Sequence, residues 1–489
     1  MNKYVVIILL TFFSFSLFSQ KQTLSLKEAI QSAQKSSPSY FRAINLAENR
    51  YWNYRQFRAS LLPQLNLSGS LPNYSSAIEV VNLDDGTFGF AEREQLFLST
   101  NLSIDQRIPL TGGILSLSSS LQRSNVYSPT NRTSYFSTPI SLSYFQPMFL
   151  YNYIKWNKQI QPIAFEESQR AYTEDLENIA NETTSLYFQA LSASIGKQIA
   201  EKNLKNNDTI YKISVGRYNL GKIAENDLLQ IELNLLNAEN ALTNARLNYE
   251  VAAQNLKRFL SIPSDQDLDL AIPSEVPQVE VDLQTALNEA KSNRALVLEF
   301  RRRRLEADQQ VAQARGNTNY NFNLSANFGL SRQANDFETA YSDPFLRQQN
   351  IVIGVNIPLV DWGQARSQVR RAKANRELAE VNIQQDEVNF EQEIFLQVMQ
   401  FNAQYQRLRI SAKADTVAQK RYEVARQRYL TGKISITDIN IAQSEKDGAK
   451  QSYIFELQRF WNNYYNLRRI CLYDFMRKQK IDYIAEFLD

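Results

Sequence analysis

Apolar and polar positions follow two different rhythms along this chain. In short stretches the period is two. Tyr320, Phe322, Leu324, Ala326, Phe328 and Leu330 alternate with Asn321, Asn323, Ser325, Asn327 and Gly329, and Ile351, Ile353, Val355 and Ile357 alternate with Val352, Gly354 and Asn356. Earlier, Leu65 and Leu67 alternate with Asn66 and Ser68, and Leu98, Leu102 and Ile104 with Ser99, Asn101, Ser103 and Asp105. Leu115 and Leu117 alternate with Ser116 and Ser118, and Ile140, Leu142 and Tyr144 with Ser141 and Ser143. Segments of about ten residues, apolar on one side and small-polar on the other, fit strands of a transmembrane barrel. A soluble sandwich also alternates. Its polar side, however, would carry Lys and Glu, and it would form a turn-rich domain of its own. These strands instead sit between long helical segments.

The second rhythm is helical. Residues 24–60 and 283–315 are helical in pattern, the first interrupted by Pro38. Much longer helical stretches cover 151–215 and 362–427, with no proline beyond Pro162 near one start. At a rise of ~1.5 Å per residue, such a helix reaches nearly 100 Å. Each long stretch turns and returns as a second helix. The first return carries Leu228, Ile231, Leu235, Ala238, Leu242, Ala245 and Leu256, small and branched residues at a spacing that packs helices side by side.

These segments occur twice. Arg217-Tyr218-Asn219-Leu220-Gly221-Lys222-Ile223 matches Arg428-Tyr429-Leu430-Thr431-Gly432-Lys433-Ile434 at one constant offset. The same offset relates Tyr211 to Tyr422, Asp227 to Asp438, Pro147 to Pro358 and Glu166 to Glu377. Leu26, Ala29 and Ala33 align with Leu283, Ala286 and Ala290 at a second, longer offset, so the first half carries extra residues between the two blocks. The expected organisation is a leader at 1–20, a first repeat at 21–262, a linker with Pro263, Pro273 and Pro277 at 263–282, a second repeat at 283–470 and a tail at 471–489. Within the repeats, membrane strands are expected at about 64–146 and 319–357, and long helical hairpins at about 148–260 and 360–470.

Composition narrows the chemistry. The chain has 489 residues, no histidine and one cysteine, Cys471, which removes a His-based triad, a His-ligated metal and a cysteine zinc cluster. No nucleophile–base motif or phosphate-binding glycine loop is present, so no enzyme and no cofactor is expected. A net charge of +3 gives no electrostatic reason to expect nucleic acid. Lys3 followed by an apolar run at 4–18 reads as a secretory signal with cleavage near Ser19 or Gln20, an uncleaved anchor being the alternative. The remaining chain has no continuous apolar run long enough for a membrane helix. Four to six strands cannot close a barrel alone, and lipid does not tolerate open strand edges. Other copies of the chain must therefore complete the barrel, most simply by cyclic assembly. The helices then project away from the membrane as a duct.

At this point the residues resemble the TolC family of outer-membrane efflux proteins. The specific element is Arg-Tyr-x-x-Gly-x-x-x-x-x-Asp followed by a Leu/Ala-rich helix, present twice. The resemblance implies a mainly α fold with transmembrane β, internally duplicated, in which a homotrimer shares an outer-membrane β-barrel continued by a periplasmic α-barrel. It implies a passive exit duct for efflux or type I secretion, docked on a periplasmic adaptor that connects to an inner-membrane pump of the RND or ABC type. A periplasmic coiled-coil adaptor or structural protein is the alternative, against which the doubled hairpin and serine-rich strands argue. The family contributes four strands per chain. Here 96–108 and 114–123, joined around Pro109-Leu110-Thr111-Gly112-Gly113, read as an extra hairpin, giving six strands per chain and eighteen in a trimer, or else an extracellular or folded-over hairpin.

Carried over residue by residue, the adaptor contact falls on Leu220, Gly221 and Lys222 and on Thr431, Gly432 and Lys433; a helix-ending glycine is the plainer reading of those turns. The periplasmic gate falls on Asp227, Tyr429, Lys433 and Asp438. The family's gate arginine is Ile434 here, and neighbouring Lys433 lacks the planar fork of arginine. Of two acidic rings, Asp438 matches one and Ile441 stands at the other. Three copies of Asp438 would attract cations, and Asp227 and Asp438 read equally as N-terminal helix caps. The arginine run 301–304 reads as a solvated helix face. Phe145, Phe149, Tyr151, Tyr153 and Trp156 read as an interfacial girdle or as ordinary packing. The cargo is not legible.

Overall fold

The computed structural model describes residues 23–82, 86–128, 130–273, 276–318 and 320–483. The expected leader lies outside the described residues. After a two-residue strand β1 (Thr23–Leu24) come α1 (Leu26–Ser36) and α2 (Pro38–Ser60). Four strands follow, β2 (Gln64–Asn82), β3 (Phe88–Arg107), β4 (Ile114–Ser128) and β5 (Arg132–Met148), then the long hairpin α3 (Tyr153–Asn219) and α4 (Glu225–Leu260). Short β6 (Asp269–Leu270) precedes α5 (Leu283–Asn293), α6 (Ala295–Thr318), β7 (Asn321–Ala334), one-turn α7 (Phe337–Ala340) and β8 (Leu346–Asn356). The second long hairpin is α8 (Gln364–Leu430) and α9 (Ile436–Cys471), and a small hairpin, β9 (Tyr473–Asp474) with β10 (Gln479–Lys480), ends the described chain.

The duplication extends to element boundaries. α1, α2 and β2 begin at 26, 38 and 64, and α5, α6 and β7 begin at 283, 295 and 321, all three displaced by the longer offset. α3 and α4 span 153–219 and 225–260, and α8 and α9 repeat them at 364–430 and 436–471, displaced by the shorter offset. The extra residues of the first copy lie between β2 and α3, where β3 and β4 are inserted.

The chain divides into two compact units. The unit containing 45–172 and 294–392 carries a six-stranded antiparallel sheet in the order β2-β3-β4-β5-β7-β8. Cross-strand register sorts its side chains into two faces. Leu65 lies opposite Ile104, Ile104 opposite Leu117, Leu117 opposite Leu142, Leu142 opposite Phe328, and Leu324 opposite Ile353. The other face pairs Asn66 with Ser103, Ser103 with Ser118, Ser118 with Ser141, Ser143 with Asn327, and Asn327 with Asn350. Exposure is inverted relative to a water-soluble protein: Leu67 is 76% exposed, whereas Ser141 is buried. The polar face is stitched across strands. Asp105 accepts from Asn66 (3.1 Å), Ser103 (3.0 Å) and Ser116, and Asn327 bonds both Ser141 (3.2 Å) and Ser143 (3.1 Å).

The inserted β3–β4 hairpin is part of this wall rather than folded over it. β3 pairs with β2 from Gln64↔Asp105 to Asn82↔Phe88 and with β4 from Glu94 to Arg107. Its turn packs on the segment leading into α3: Asn152 Nδ2 donates to Pro109 O (2.9 Å) and Gln146 Nε2 to Thr111 O (2.9 Å). Gly112 takes φ +80°, a conformation that favours glycine.

In the same unit α6 is clamped by ion pairs, which corrects the reading of the arginine run as a solvated face. Arg302 makes a two-pronged pair with Glu167 on α3 (2.6 and 3.0 Å), Arg303 pairs with Asp386 (2.8 Å) and Arg304 with Glu380 and Glu387 (both 3.1 Å) on α8. The Glu167 carboxylate, with Glu306, raises the pKa of Arg302 against the opposing effect of burial. α2 holds α3 differently, by stacking Tyr54 on Phe165 at 4.6 Å between ring centroids.

The other unit, 23–44, 173–293 and 393–483, holds the helical core. Ala29 and Ala33 on α1 and Ala286 and Ala290 on α5 are fully buried at i, i+4, where small side chains let helices approach closely. The 263–282 segment is more than a linker. β6 pairs in parallel with β1, and Tyr187 OH lies 2.6 Å from Ala271 O and 2.8 Å from Leu24 O. The tail is likewise tied down. Arg468 on α9 pairs with Glu177 on α3 (2.7 Å) and with Asp474 (3.1 Å), and Tyr483 OH donates to Glu177 (2.9 Å). Burial opposes the charge on Arg468, but Glu177 and Tyr464 together raise its pKa. Glu177 is 0% exposed. Glu177→Ala therefore leaves Arg468 under-compensated and is expected to destabilise the protein by ~3–5 kcal/mol in thermal unfolding; a melting curve like that of the unmodified protein would contradict this.

Candidate functional site

Both long hairpins turn by the same local chemistry. Where α3 ends, Gly221 N donates to Tyr218 O (2.7 Å) and Lys222 N to Arg217 O (2.9 Å); where α8 ends, Gly432 N donates to Tyr429 O (2.9 Å) and Lys433 N to Arg428 O (2.9 Å). Gly221 and Gly432 have φ of +67° and +74°. This is the wrap that ends a helix on a left-handed glycine. It pushes Leu220, Lys222, Thr431 and Lys433 out into solvent, all four exposed. The turn is thus both a helix terminus and a presented surface.

Beneath it the two hairpins share a small core of Ile210, Ile231, Tyr422, Tyr429, Ile439 and Ala442. Tyr429 is buried there, and its cationic neighbour is Arg217 rather than Lys433. The Arg217 guanidinium lies 5.9 Å from the Tyr429 ring and donates to Leu430 O at 3.0 Å, joining one hairpin to the other. Ile434, at the position of the family's arginine, packs its half-buried side chain onto this core. Among the described residues no hydrogen bond joins Tyr429 to Asp227, so a single chain does not bring together the four gate residues expected from sequence. Arg217 was visible in the repeated Arg-Tyr-x-x-Gly motif, but its partners Tyr429 and Leu430 belong to the other repeat, far along the chain.

Asp438 caps α9: it accepts from Ser435 N (3.0 Å) and Ser435 Oγ (2.8 Å), while its own N–H donates to Ser435 Oγ (3.2 Å). The Ser435 hydroxyl and backbone N–H hold the Asp438 carboxyl below the usual carboxylate range. Asp227 is not equivalent. The N-cap position of its helix is Ala224, which gives no side-chain cap, so Asp227 contributes as a first-turn acid at the positive end of the helix. Both carboxylates are exposed.

Higher in the helical unit, α3, α4 and α9 enclose an amide-lined groove of about 1100 Å³ that includes Asn203, Asn234, Asn244, Asn440 and Asp447. Asn203 Oδ1 and Asn234 Nδ2 are buried with no hydrogen-bond partner among the described residues, so they call for water or for a partner's polar groups, whereas Asp447 Oδ1 is ion-paired with Lys446 (3.0 Å). Sequence reading missed this groove because it joins three helices distant along the chain. Where the sheet passes into α3, Phe145, Phe149 and Tyr153 are exposed, while Tyr151 and Trp156 are half-buried. Among the described residues no three His, Cys, Asp or Glu converge as metal ligands, and no helix is long and apolar enough to cross a membrane.

Comparison with known proteins sets this geometry in context. Residues 114–261 and 286–470 match the model of the family described as outer membrane efflux protein. The chain is 21% identical over 443 residues to outer membrane protein TolC of Escherichia coli (strain K12), covering 88% of this chain and 84% of that protein. It is 23% identical over 439 residues to outer membrane protein TolC of Salmonella enteritidis, covering 85% and 80%. In fold it is similar to the Campylobacter jejuni CmeC outer membrane channel, with a TM-score of 0.67 at 16% identity over 95% of this chain and 88% of that one. It is also similar to the open state of the Neisseria gonorrhoeae MtrE outer membrane channel, with a TM-score of 0.61 at 13% identity over 94% and 91%.

The capping geometry makes a pH prediction. Because the folded-state pKa of Asp438 is depressed, its cap contributes above the ordinary aspartate pKa and is lost as pH falls through the lowered value. Hydrogen exchange at the Ser435 amide, which donates to the Asp438 carboxylate, should, once corrected for intrinsic rates, stay slow down to the ordinary carboxylate range and quicken below it. Asp438→Ala should be fast throughout; if it keeps the same acid-dependent step, the cap is not its source.

Proposed function

The chain belongs to the outer membrane efflux protein family, and we propose that three copies close their sheets into one shared barrel that continues as a tube of helical hairpins. It is an outer-membrane exit duct. The observation that supports closure is the sheet itself. Its exposed face is apolar, its other face is hydroxyl and amide, and its two outer strands, β2 and β8, lack a second neighbour among the described residues. In lipid those edge N–H and C=O groups need partners. An even number of antiparallel strands per chain lets β8 of one copy run antiparallel to β2 of the next, so three copies give eighteen strands.

The helical unit carries matching seams. Ile410, Val417 and Val424 recur every seven residues on α8, all exposed, and Leu229, Leu233 and Leu236 are exposed on α4. A seven-residue apolar repeat is the seam of helices that pack side by side, here those of neighbouring copies. The exposed tip residues Leu220, Gly221 and Lys222, and Thr431, Gly432 and Lys433, meet a periplasmic adaptor, which links the duct to an inner-membrane pump. The duct performs no covalent chemistry; the pump supplies the energy and chooses the cargo.

At the periplasmic mouth, Asp438 of each copy contributes to a ring of carboxylates, with Asp227 nearby on α4. Tyr429, buried beside Arg217, supports the tip from within rather than bonding across it, and Lys433 stays available to the adaptor. Because Ile441 replaces a second acidic ring, Asp438 dominates ion selectivity. In planar bilayers the purified protein should form cation-preferring channels, and Asp438→Ala should move the reversal potential toward zero. An unchanged reversal potential removes Asp438 from the gate. Recovery of the protein in the soluble periplasm after high-salt extraction would contradict the membrane duct itself.

A further inference from the structure

The two internal offsets allow contacts to be carried from one copy of the repeat to the other. In the second copy, α6 touches α8 through Asp308 and Arg376. Carried back by the longer offset, Asp308 becomes Tyr51 on α2; carried back by the shorter one, Arg376 becomes Phe165 on α3. The ring centroids of Tyr51 and Phe165 are 6.1 Å apart. The repeat therefore preserves the contact although an ion pair has become an aromatic pair.

α6 makes a second set of contacts, with the hairpin of the other repeat. Gln309 Nε2 donates to Tyr151 OH at 2.6 Å, just before α3, and Arg302 pairs with Glu167. On α2 the counterparts of Gln309 and Arg302 are Trp52 and Asn45; in the second hairpin the counterparts of Tyr151 and Glu167 are Trp362 and Leu378. Trp362 is 96% exposed and Trp52 57% exposed. An indole so placed is not covered by the described residues of its own chain. It is also held in place: Asp361 accepts from Gly363 N and Ala365 N, both at 2.9 Å, fixing the turn that presents Trp362.

We propose that Trp52 of one copy packs against Trp362 of the neighbouring copy, repeating between chains the contact that Gln309 and Tyr151 make within one. The proposal rests on the trimeric closure described above. Within a chain the seam between repeats is polar, through Gln309–Tyr151 and Arg302–Glu167. Between chains it is uncharged and largely apolar, with two indoles in one place and Asn45 and Leu378 standing where Arg302 and Glu167 would be. Two such rings bury ~150–250 Å² each, an area suited to holding subunits together.

The strand register supports the same neighbour independently. β5 pairs with β7 with Tyr144 opposite Ala326 and Gln146 opposite Leu324. Carried over by the same offsets, Val355 of one copy lies opposite Gly69 of the next, and Ile357 opposite Leu67. That register puts the apolar faces of both edges on one side of the joined sheet, whereas a slip of one residue would set them on opposite sides.

The test uses the full-length protein reconstituted in lipid. The native Cys471 is 0% exposed, so introduced thiols report alone. Trp52→Cys, Trp362→Cys and the double variant are treated with a short bismaleimide, and native mass spectrometry counts copies in the same samples. The double variant should give covalent dimers and trimers on a denaturing gel, and each single variant only monomers. A trimer by mass that stays monomeric on the gel in the double variant overturns the Trp52–Trp362 contact. Absence of a trimer by mass overturns the closure on which it rests.

Discussion

A β-strand in hydrocarbon has no water to satisfy its backbone, and the six-stranded sheet leaves two strands, β2 and β8, with one unanswered side each. Most of the remaining architecture is intelligible from that constraint. The sheet has one apolar and one hydroxyl–amide face, so the proposed closure with further copies gives a wall that is greasy outside and wet inside. In the proposed assembly one chain supplies only part of the wall, and the helices that follow each half of the sheet become staves of a shared tube, so that helices and strands obey one count of copies.

Much of this was legible in the sequence, for a physical reason. Both repeat offsets survive as element boundaries because helix length and strand register are set by local pattern, which the chain states twice. The inserted hairpin of β3 and β4 was visible because alternation at 98–105 and 114–118 has no counterpart in the second copy, and the structure pairs both strands into the wall. What local pattern could not reveal were contacts between distant segments. Arg302, Arg303 and Arg304 looked like a solvated run, yet the carboxylates that tie them to other helices lie 76 to 135 residues away. The tail looked like an appendage, yet Asp474 and Tyr483 complete a buried network around Glu177 and Arg468. At the tips, the motif located the turns and the capping acid, but the partner of Tyr429 proved to be Arg217 from the other hairpin.

The two repeats have diverged in chemistry while keeping their geometry. α2 grips α3 with stacked rings, and α6 grips α8 with ion pairs. Asp438 caps its helix through Ser435, whereas Asp227 has Ala224 in the equivalent place. A duplicated chain that assembles with itself has two kinds of seam, one inside each copy and one between copies. In the proposed assembly divergence lets each be tuned separately: arginine–carboxylate pairs, exacting in geometry, between the repeats of one chain, and apolar surface where chains must first find one another in the membrane.

The central claim is that all six strands of each chain stand in one closed wall. A single-particle density map of the protein in lipid nanodiscs tests it most directly, because strands can be counted around the ring. Eighteen strands, with β8 of each copy beside β2 of the next, are expected. A ring of twelve, with β3 and β4 lifted out of the wall, would contradict the account.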